Sequence, residues 1–423
     1  MAVKQTDKYY DATETISATE RHRILEAGLR RAVVGAFHRA PFTRNLMLKA
    51  GLKPSDIHIY EDLQKLPITR KTDIIAAQKS NPPYGGLLTV PPATVERIFI
   101  SPGPIYEPLH FSRIKWFARA FWAAGFRKGD VVVNTFTYHL SPAGMLFYEA
   151  LRHCGATVVN TGAGNTEIQI QTMRDLKVNG FLGTPSFLMT LIKKAEETGL
   201  NFRQDFALQK AWFTGEMLAP SIRHTLESDY KIQTAQAYAV TEPGGCIAYE
   251  CEQQNGLHMM DDYVVEIVDP ATGCQLPPGA VGEIVVTPLH NKAWGLIRFG
   301  TGDLSSYTTA RCACGRTAHR LTGIFGRAGD AVKVRGMFVV GKQADEVITG
   351  TGHIARYQLI VTREAQRDIL TLKAESSGGR ELENAVNEKI QSVCRVKIDR
   401  FEFVSPGSLP ENAPKITDLR KWD

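Results

Sequence analysis

A chain of 423 residues is longer than one hydrophobic core commonly organises, so at least two domains are expected. Hydrophobic residues make up 43% and charged residues 22%, ordinary proportions that exclude a disordered or low-complexity chain. The net charge of +6 comes from 50 basic and 44 acidic residues spread along the chain. No basic block tracks nucleic acid, and the charge favours at most small anionic ligands.

The first 30 residues include Asp7, Asp11, Glu14 and Glu20 and lack the apolar core of a signal peptide. No later apolar run approaches the roughly 18 residues that a spanning helix needs. A cytoplasmic protein with no membrane partner is expected. Seven cysteines is an odd number, and most of them crowd into residues 246–314. Without an export signal, this argues for thiols or a metal site over disulfides.

Residues 1–98 read as helical, with Ile24, Leu25, Leu29, Val33, Val34 and Phe37 at helical spacing and a break around Pro82-Pro83. From Val131 strands and helices alternate. Strands are expected at 131–133, 156–160, 180–183, 211–214 and 232–238, with helices at 143–153, 167–176, 186–198 and 220–228. This order predicts a parallel sheet flanked by helices, with ligands at the carboxyl ends of its strands. After Tyr238 hairpins take over, with antiparallel strands at 263–269 and 282–287 around a turn at 270–273. Past Gly326 a small αβ unit is expected: a basic hairpin, a helix near 342–348, strands at 357–362 and 369–373, and a helix at 381–393. Leu382, Val386, Ile390 and Val393 fall on one face of that last helix and mark it as packed. The fold class is α/β, a large N-terminal domain of mixed and parallel sheets with helices and a hairpin region, followed by a small α+β domain.

Chemistry concentrates in residues 284–338. There the run Ile297-Arg298-Phe299-Gly300-Thr301-Gly302-Asp303-Leu304 precedes the pair Cys312 and Cys314 and then Gly326-Arg327 through Lys333-Val334-Arg335-Gly336. A carboxylate held on a Gly-Thr-Gly turn resembles the ribose-binding aspartate of the adenylate-forming superfamily. The pieces Thr214-Gly215-Glu216, Tyr238-Ala239-Val240-Thr241-Glu242, Thr301-Gly302-Asp303-Leu304, Gly326-Arg327 and Lys415 occur in the order that AMP-forming acyl-CoA ligases use. Asn165-Thr166-Glu167, Gly183-Thr184-Pro185-Ser186, Tyr249-Glu250-Cys251, Asn255-Gly256-Leu257-His258, Cys312-Ala313-Cys314-Gly315-Arg316-Thr317 and Val404-Ser405-Pro406-Gly407-Ser408-Leu409-Pro410 resemble the phenylacetate–CoA ligase family.

The resemblance implies an enzyme that condenses a carboxylic acid with ATP to an acyl adenylate, releases pyrophosphate, and lets coenzyme A displace AMP. Cations and fixed donors are the main resource for such crowded negative charge. It implies that Glu242 holds Mg2+, that Thr241 donates to the AMP phosphate, and that Tyr238 packs on adenine. Asp303 would bind the ribose with Arg327 beside it, and Gly215 and Glu216 would lie in the cofactor site. Lys415 would be the cation of adenylation, and Lys333 and Arg335 would serve the thioester step. Residues 1–325 would form the adenylation domain and 326–423 a mobile lid, with the hinge near 326–330 and Gly329 at the family's usual Asp position. A homodimer is compatible with this reading, and the sequence does not decide it.

One segment departs from the family pattern. Where the family has a Ser/Thr/Gly-rich phosphate loop ending in Lys-Pro, this chain has Ser101-Pro102-Gly103-Pro104-Ile105-Tyr106-Glu107-Pro108. A carboxylate replaces a cation, and prolines remove backbone donors. Either the cation comes from elsewhere, with Arg113 and Lys115 as candidates, or adenylation has been lost. The cysteines supply the other strong signal. Cys312 and Cys314 with Cys251 and His258 suit a closed structural Zn2+ site, while Cys246 and Cys274 compete as ligands and reduced buried thiols are the plainer alternative. Phe136, Tyr138, His139, Pro142 and Gly144 are candidates for an acyl pocket suited to an aryl acid. Adenylation with transfer to an amine or carrier protein, and a silent acyl- or nucleotide-binding protein, remain as alternatives.

Overall fold

The computed structural model describes residues 8–101, 104–109, 117–289, 293–328, 331–335, 337–364, 367–376, 380–394, 396–410 and 413–420. Gly329, the candidate loop cations Arg113 and Lys115, the loop residues Pro102 and Gly103, Gly336 and the side chain of Lys333 lie outside this description. The chain forms two compact units. One comprises Met1–Glu266, Val285–Thr301 and Tyr307–Gly323; the other comprises Ile267–Ile284, Gly302–Ser306 and Ile324–Asp423. The chain crosses between them inside the strands Tyr263–Val268, Gly282–Pro288 and Phe299–Ser305.

In the first unit the helix Ala18–Arg39 starts where the Ser17 hydroxyl accepts the Glu20 N–H at 3.1 Å. Its Leu29 and Val33 are fully buried and pack with Met47, Ile57 and Leu63. Val34, read from the sequence as part of the same face, is 44% exposed. Adjacent helical residues point about 100° apart, so only one of two consecutive valines can face the core.

Among the described residues, the large sheet of this unit has nine strands. In spatial order they are Tyr307–Thr308, Arg320–Leu321, Leu257–Met259, Gly245–Tyr249, Gln233–Val240, Lys210–Phe213, Gly180–Gly183, Val131–Asn134 and Thr157–Asn160. The last five are mutually parallel, as strand–helix alternation predicts, and their central members are buried on both faces. Direction reverses at Gly245–Tyr249, which runs antiparallel to Gln233–Val240. The reversal is a tight turn closed by the Gly244 N–H on the Thr241 carbonyl at 2.9 Å. Gly245 follows at φ +132°, where an added Cβ would strike the Phe117 ring. Thr241 and Glu242 therefore stand at the carboxyl end of the last parallel strand, where ligands of such sheets collect.

A buried polar network ties the N-terminal segment to the segment after the cysteine pair. Arg316 pairs with Glu14, and both side chains are 1% exposed. Glu14 also accepts from the Tyr249 hydroxyl at 3.4 Å, and Arg119 pairs with Asp11 at 2.9 Å. The Tyr9 hydroxyl donates to the Cys314 carbonyl at 3.0 Å.

In the second unit the hairpin Ala331–Val334 with Met337–Val340 leads to the helix Gly341–Thr349. A sheet follows in the order Arg400–Val404, Arg367–Glu375, Tyr357–Glu364, Ile416–Asp418, accompanied by the helix Arg380–Cys394. Val386 and Ile390 are fully buried in its core with Leu359 and Leu372, and Leu382 packs against them. Val393, expected on the same face, is 43% exposed, and Cys394 takes the inward position at the helix end. Among the described residues no helix is long and apolar enough to cross a membrane.

Substituting Arg316→Met leaves the Glu14 carboxylate buried without its cation, and breaking such a pair costs about 3–5 kcal/mol. Denaturant unfolding is expected to register that loss, with part of it recovered in the Glu14→Gln/Arg316→Met double variant. A loss below about 0.5 kcal/mol would show that the pair does not brace the fold.

Candidate functional site

Glu242 is 7% exposed and is paired with the Lys71 ammonium at 2.8 Å. Lys71 opens the helix Lys71–Ser80 and is placed by the backbone just before it. The Thr69 N–H donates to the Arg298 carbonyl at 2.9 Å, and the Gly300 N–H donates to the Thr69 carbonyl at 3.0 Å. The same helix holds the variant loop, because Gln78 exchanges hydrogen bonds with the Tyr106 backbone at 2.8 and 2.9 Å. Sequence reasoning missed Lys71. It lies far from Glu242 in the chain, and no local motif announces it.

The variant loop is a hairpin of strands Arg97–Ser101 and Ile105–Leu109. Glu107 points inward at 7% exposure and accepts the Ser101 hydroxyl at 2.7 Å. Burial pushes its carboxyl up to about 8, opposed by the Ser101 hydrogen bond and by Lys71, and reinforced by the charge of Glu242. At neutral pH this side chain is therefore largely a neutral acid. The sequence shows only that a carboxyl replaces a cation here; its burial and its Ser101 partner come from the fold.

Other candidates lie along the same sheet. Tyr238 is buried on the strand Gln233–Val240 that leads into Thr241, and a register shift against its neighbour falls between Tyr238 and Ala239. Gly215 has φ +84°, and a Cβ there would meet Thr184 at 3.7 Å and Phe136 at 3.8 Å. That brings one residue of the expected acyl pocket beside the Thr214-Gly215-Glu216 turn. The Glu216 carboxylate accepts the Ser186 N–H at 3.4 Å. Tyr138 is engaged by Asn134 at 2.7 Å and Asn160 at 2.6 Å, and His139 is exposed.

In the second unit Asp303 and Arg327 are directly opposed across an antiparallel pair and joined at 2.7 Å. Arg327 is 63% exposed. Gly302 before them, at φ +75°, donates its N–H to Glu283 at 2.9 Å. Lys415 leads into the strand Ile416–Asp418 and pairs with Asp345 at 2.7 Å, above the Tyr357 ring at 4.8 Å. Arg335, in the left-handed region at φ +48°, binds Asp399 at 2.8 Å and the Lys397 carbonyl. Those bonds hold its guanidinium within its own unit.

The four expected zinc ligands come together from two segments. The ligand atoms of Cys251, His258, Cys312 and Cys314 all lie within 4.8 Å of one another, and all four residues are buried. The Cys251 and Cys312 sulfurs are 3.7 Å apart, and the Cys314 sulfur is 3.4 Å from His258 Nε2. With Zn–S near 2.3 Å and Zn–N near 2.0–2.1 Å, a tetrahedral site has edges of about 3.8 Å between sulfurs and about 3.6 Å between sulfur and nitrogen. His258 Nδ1 faces the Ala318 carbonyl at 3.3 Å, which leaves Nε2 for a metal. The Arg316 N–H points at the Cys314 sulfur at 3.3 Å. Hydrogen bonding from Cys251, and after it from His258, holds the Cys314 thiol below its ordinary value. Cys246 and Cys274 do not join this group.

Glu107 generates a stability prediction. Its folded-state value of about 8 exceeds the ordinary 4.5, so the folded chain keeps a proton that the unfolded chain has lost between those limits. Stability should therefore fall as pH rises through that window and level off above it. Glu107→Gln, neutral throughout, is expected to match the parent near the lower limit and to exceed it by a few kcal/mol near the upper one. Parallel unfolding titrations would check this, and a pH-independent difference would show ordinary ionisation.

The AMP-binding enzyme family profile matches residues 110–289. A phenylacetate–coenzyme A ligase of Thermus thermophilus is 32% identical over 383 residues, covering 87% of this chain and 84% of that protein. The Pseudomonas putida phenylacetate–coenzyme A ligase is 30% identical over 375 residues, covering 86% and 83%. Among solved structures, an open conformation of 2-hydroxyisobutyryl-CoA ligase with 2-HIB-AMP and CoA superposes with a TM-score of 0.88 at 26% identity, covering 99% of this chain and 96% of that one. From this extended similarity, the chain belongs to the phenylacetate–coenzyme A ligase family of adenylate-forming enzymes.

Proposed function

We propose that this protein is an AMP-forming acid–coenzyme A ligase acting on an aryl or arylalkyl carboxylic acid. The observation that carries the reading is similarity at about 30% identity to phenylacetate–coenzyme A ligases over most of the chain. In the first step a carboxylate oxygen bonds to the α-phosphorus of ATP as the bond to the pyrophosphate oxygen breaks. In the second the coenzyme A sulfur, its proton lost to solvent, bonds to the acyl carbon as AMP leaves. Both steps gather negative charge, so positioned cations and donors supply the catalysis.

The chain's own groups divide these tasks. Thr241 donates to the nucleotide phosphate, Tyr238 packs on the base, and Gly215 and Glu216 border the nucleotide and the acid. Asp303 exchanges its bond to Arg327 for the ribose hydroxyls, and the released guanidinium turns to ribose or phosphate. Lys415 leaves Asp345 to neutralise the carboxylate and α-phosphate during adenylation. Lys333 and Arg335 serve the thioester step after rotation of residues 326–423 about a hinge near 326–330. Glu242 offers a buried carboxylate that would hold Mg2+, and that ion would supply positive charge against the ATP phosphates. A protonated Glu107 would add no negative charge beside the nucleotide. Phe136, beside Gly215, provides an aromatic wall for the acid.

Pyrophosphate release from ATP over a panel of aryl and short-chain acids, with and without coenzyme A, tests the reading. Release with arylacetates followed by thioester formation is expected. No release with any acid from the folded protein would refute it, and release without thioester would point to an amine or carrier acceptor. Lys415→Met is expected to slow adenylation by about 100-fold or more while sparing thioester formation from preformed adenylate.

The Cys251–His258–Cys312–Cys314 group is proposed as a structural zinc site. Its role would be to clamp the segment after the Glu242 turn to the cysteine pair, with no part in the reaction. Metal analysis of the purified protein is expected to find about one zinc per chain. Cys312→Ser should lower both zinc content and thermal stability, and unchanged values would reject the ligand set.

A further inference from the structure

Adenylation of the proposed kind needs a cation at the leaving pyrophosphate, and the described part of the 101–108 hairpin supplies none. Its buried side chain at the critical position is Glu107, tied to Ser101. A lysine from another element reaches the Glu242 turn. Lys71 touches Glu242 at 2.8 Å and is 41% exposed, whereas Glu242 is 7% exposed. The helix that carries Lys71 is bonded to the hairpin that carries Glu107, and the charges of Lys71 and Glu242 are both felt at Glu107.

The architecture around Lys71 serves to place it. Thr69 is locked to the segment 297–300 by three hydrogen bonds, two through its backbone and one from its hydroxyl to the Ile297 carbonyl at 3.1 Å. Gln78, two turns further along the helix, is locked to Tyr106 on the hairpin. The helix is thus pinned at one end to the segment 297–300 and at the other to the variant loop. Ile74 on the same helix is fully buried against Ile105 and Phe299. A lysine at this position has a rigid root and a flexible, solvent-reaching tip.

We propose that Lys71 is the phosphate-facing cation of this chain, replacing the lysine that its loop lacks, and that it holds the Glu242 carboxylate until nucleotide arrives. The inference rests on the adenylation reading. With a divalent cation held at Glu242, like-charge repulsion would free the Lys71 ammonium to turn to the β- and γ-phosphates. There it neutralises the charge that grows on pyrophosphate as the bond to the α-phosphorus breaks. AMP carries no β- or γ-phosphate, so it should not sense Lys71.

Calorimetric titration of the full-length protein with MgATP and, separately, with AMP distinguishes this from a merely structural ion pair. Lys71→Met is expected to weaken MgATP by about 10- to 100-fold, the worth of one charge-assisted hydrogen bond, and to leave AMP within about twofold. Lys71→Arg should restore most of the MgATP affinity, and adenylation should fall in Lys71→Met while thioester formation from preformed adenylate is spared. Equal loss of MgATP and AMP binding, unchanged MgATP binding, or failure of arginine to restore it would each overturn the proposal. Pyrophosphate release by the parent protein judges the ligase reading separately, because the ratio of MgATP to AMP affinity is measured without turnover.

Discussion

A carboxylate withdrawn from water needs either a cation or a proton, and that requirement shapes every part of this molecule that carries chemistry. Two kinds of answer are present. In Glu14–Arg316 and Glu266–Arg298 both partners are almost fully buried, with side-chain exposures of 1% and 1% and of 0% and 2%. These pairs have no competing solvent and hold architecture. In Glu242–Lys71, Asp303–Arg327 and Asp345–Lys415 the cation keeps 41%, 63% and 47% of its exposure. Such a cation can leave when a ligand offers a stronger charge, so candidate functional residues are held in place without being locked. Glu107 takes the other route and keeps a proton.

The cysteine–histidine group extends the same logic to thiols. Four donors whose ligand atoms lie within 4.8 Å of one another are drawn from residues 251–258 and 312–314. The loop that carries the second pair is fastened by Arg316 to Glu14 and through the Cys314 carbonyl to Tyr9. The N-terminal segment thus anchors the segment that presents two of the donors. The Arg after the cysteine pair, which in the sequence is only part of a motif, has a structural task of its own.

Much of this was legible in the sequence because it depends on short-range pattern. Strand–helix alternation between Val131 and Tyr238 announced the parallel sheet, and motif order announced the Thr241–Glu242 and Asp303 turns. Residue types offered Cys251, His258, Cys312 and Cys314 as a donor set with Cys246 and Cys274 as competitors, and the fold brings the first four together. Periodicity failed in small ways, at Val34 and Val393, where a helical stripe drawn from sequence is wider than the face that finds a partner. It also gave no bounds to the antiparallel strands that extend the large sheet from Gly245 onward, since such short strands carry little pattern.

The sequence by itself determined the order of the elements, the family, and which residue types stand at the turns. Only the tertiary structure decided the charge state and the partners of those residues. Glu107 is acidic in any reading of the sequence, yet its burial beside Ser101 and Glu242 makes it a neutral acid. Lys71 is an ordinary helix-opening lysine until the fold sets it on Glu242, far along the chain. Coulomb energy and desolvation depend on distance through space and on access to water, and neither quantity is written in the spacing of residues along a chain.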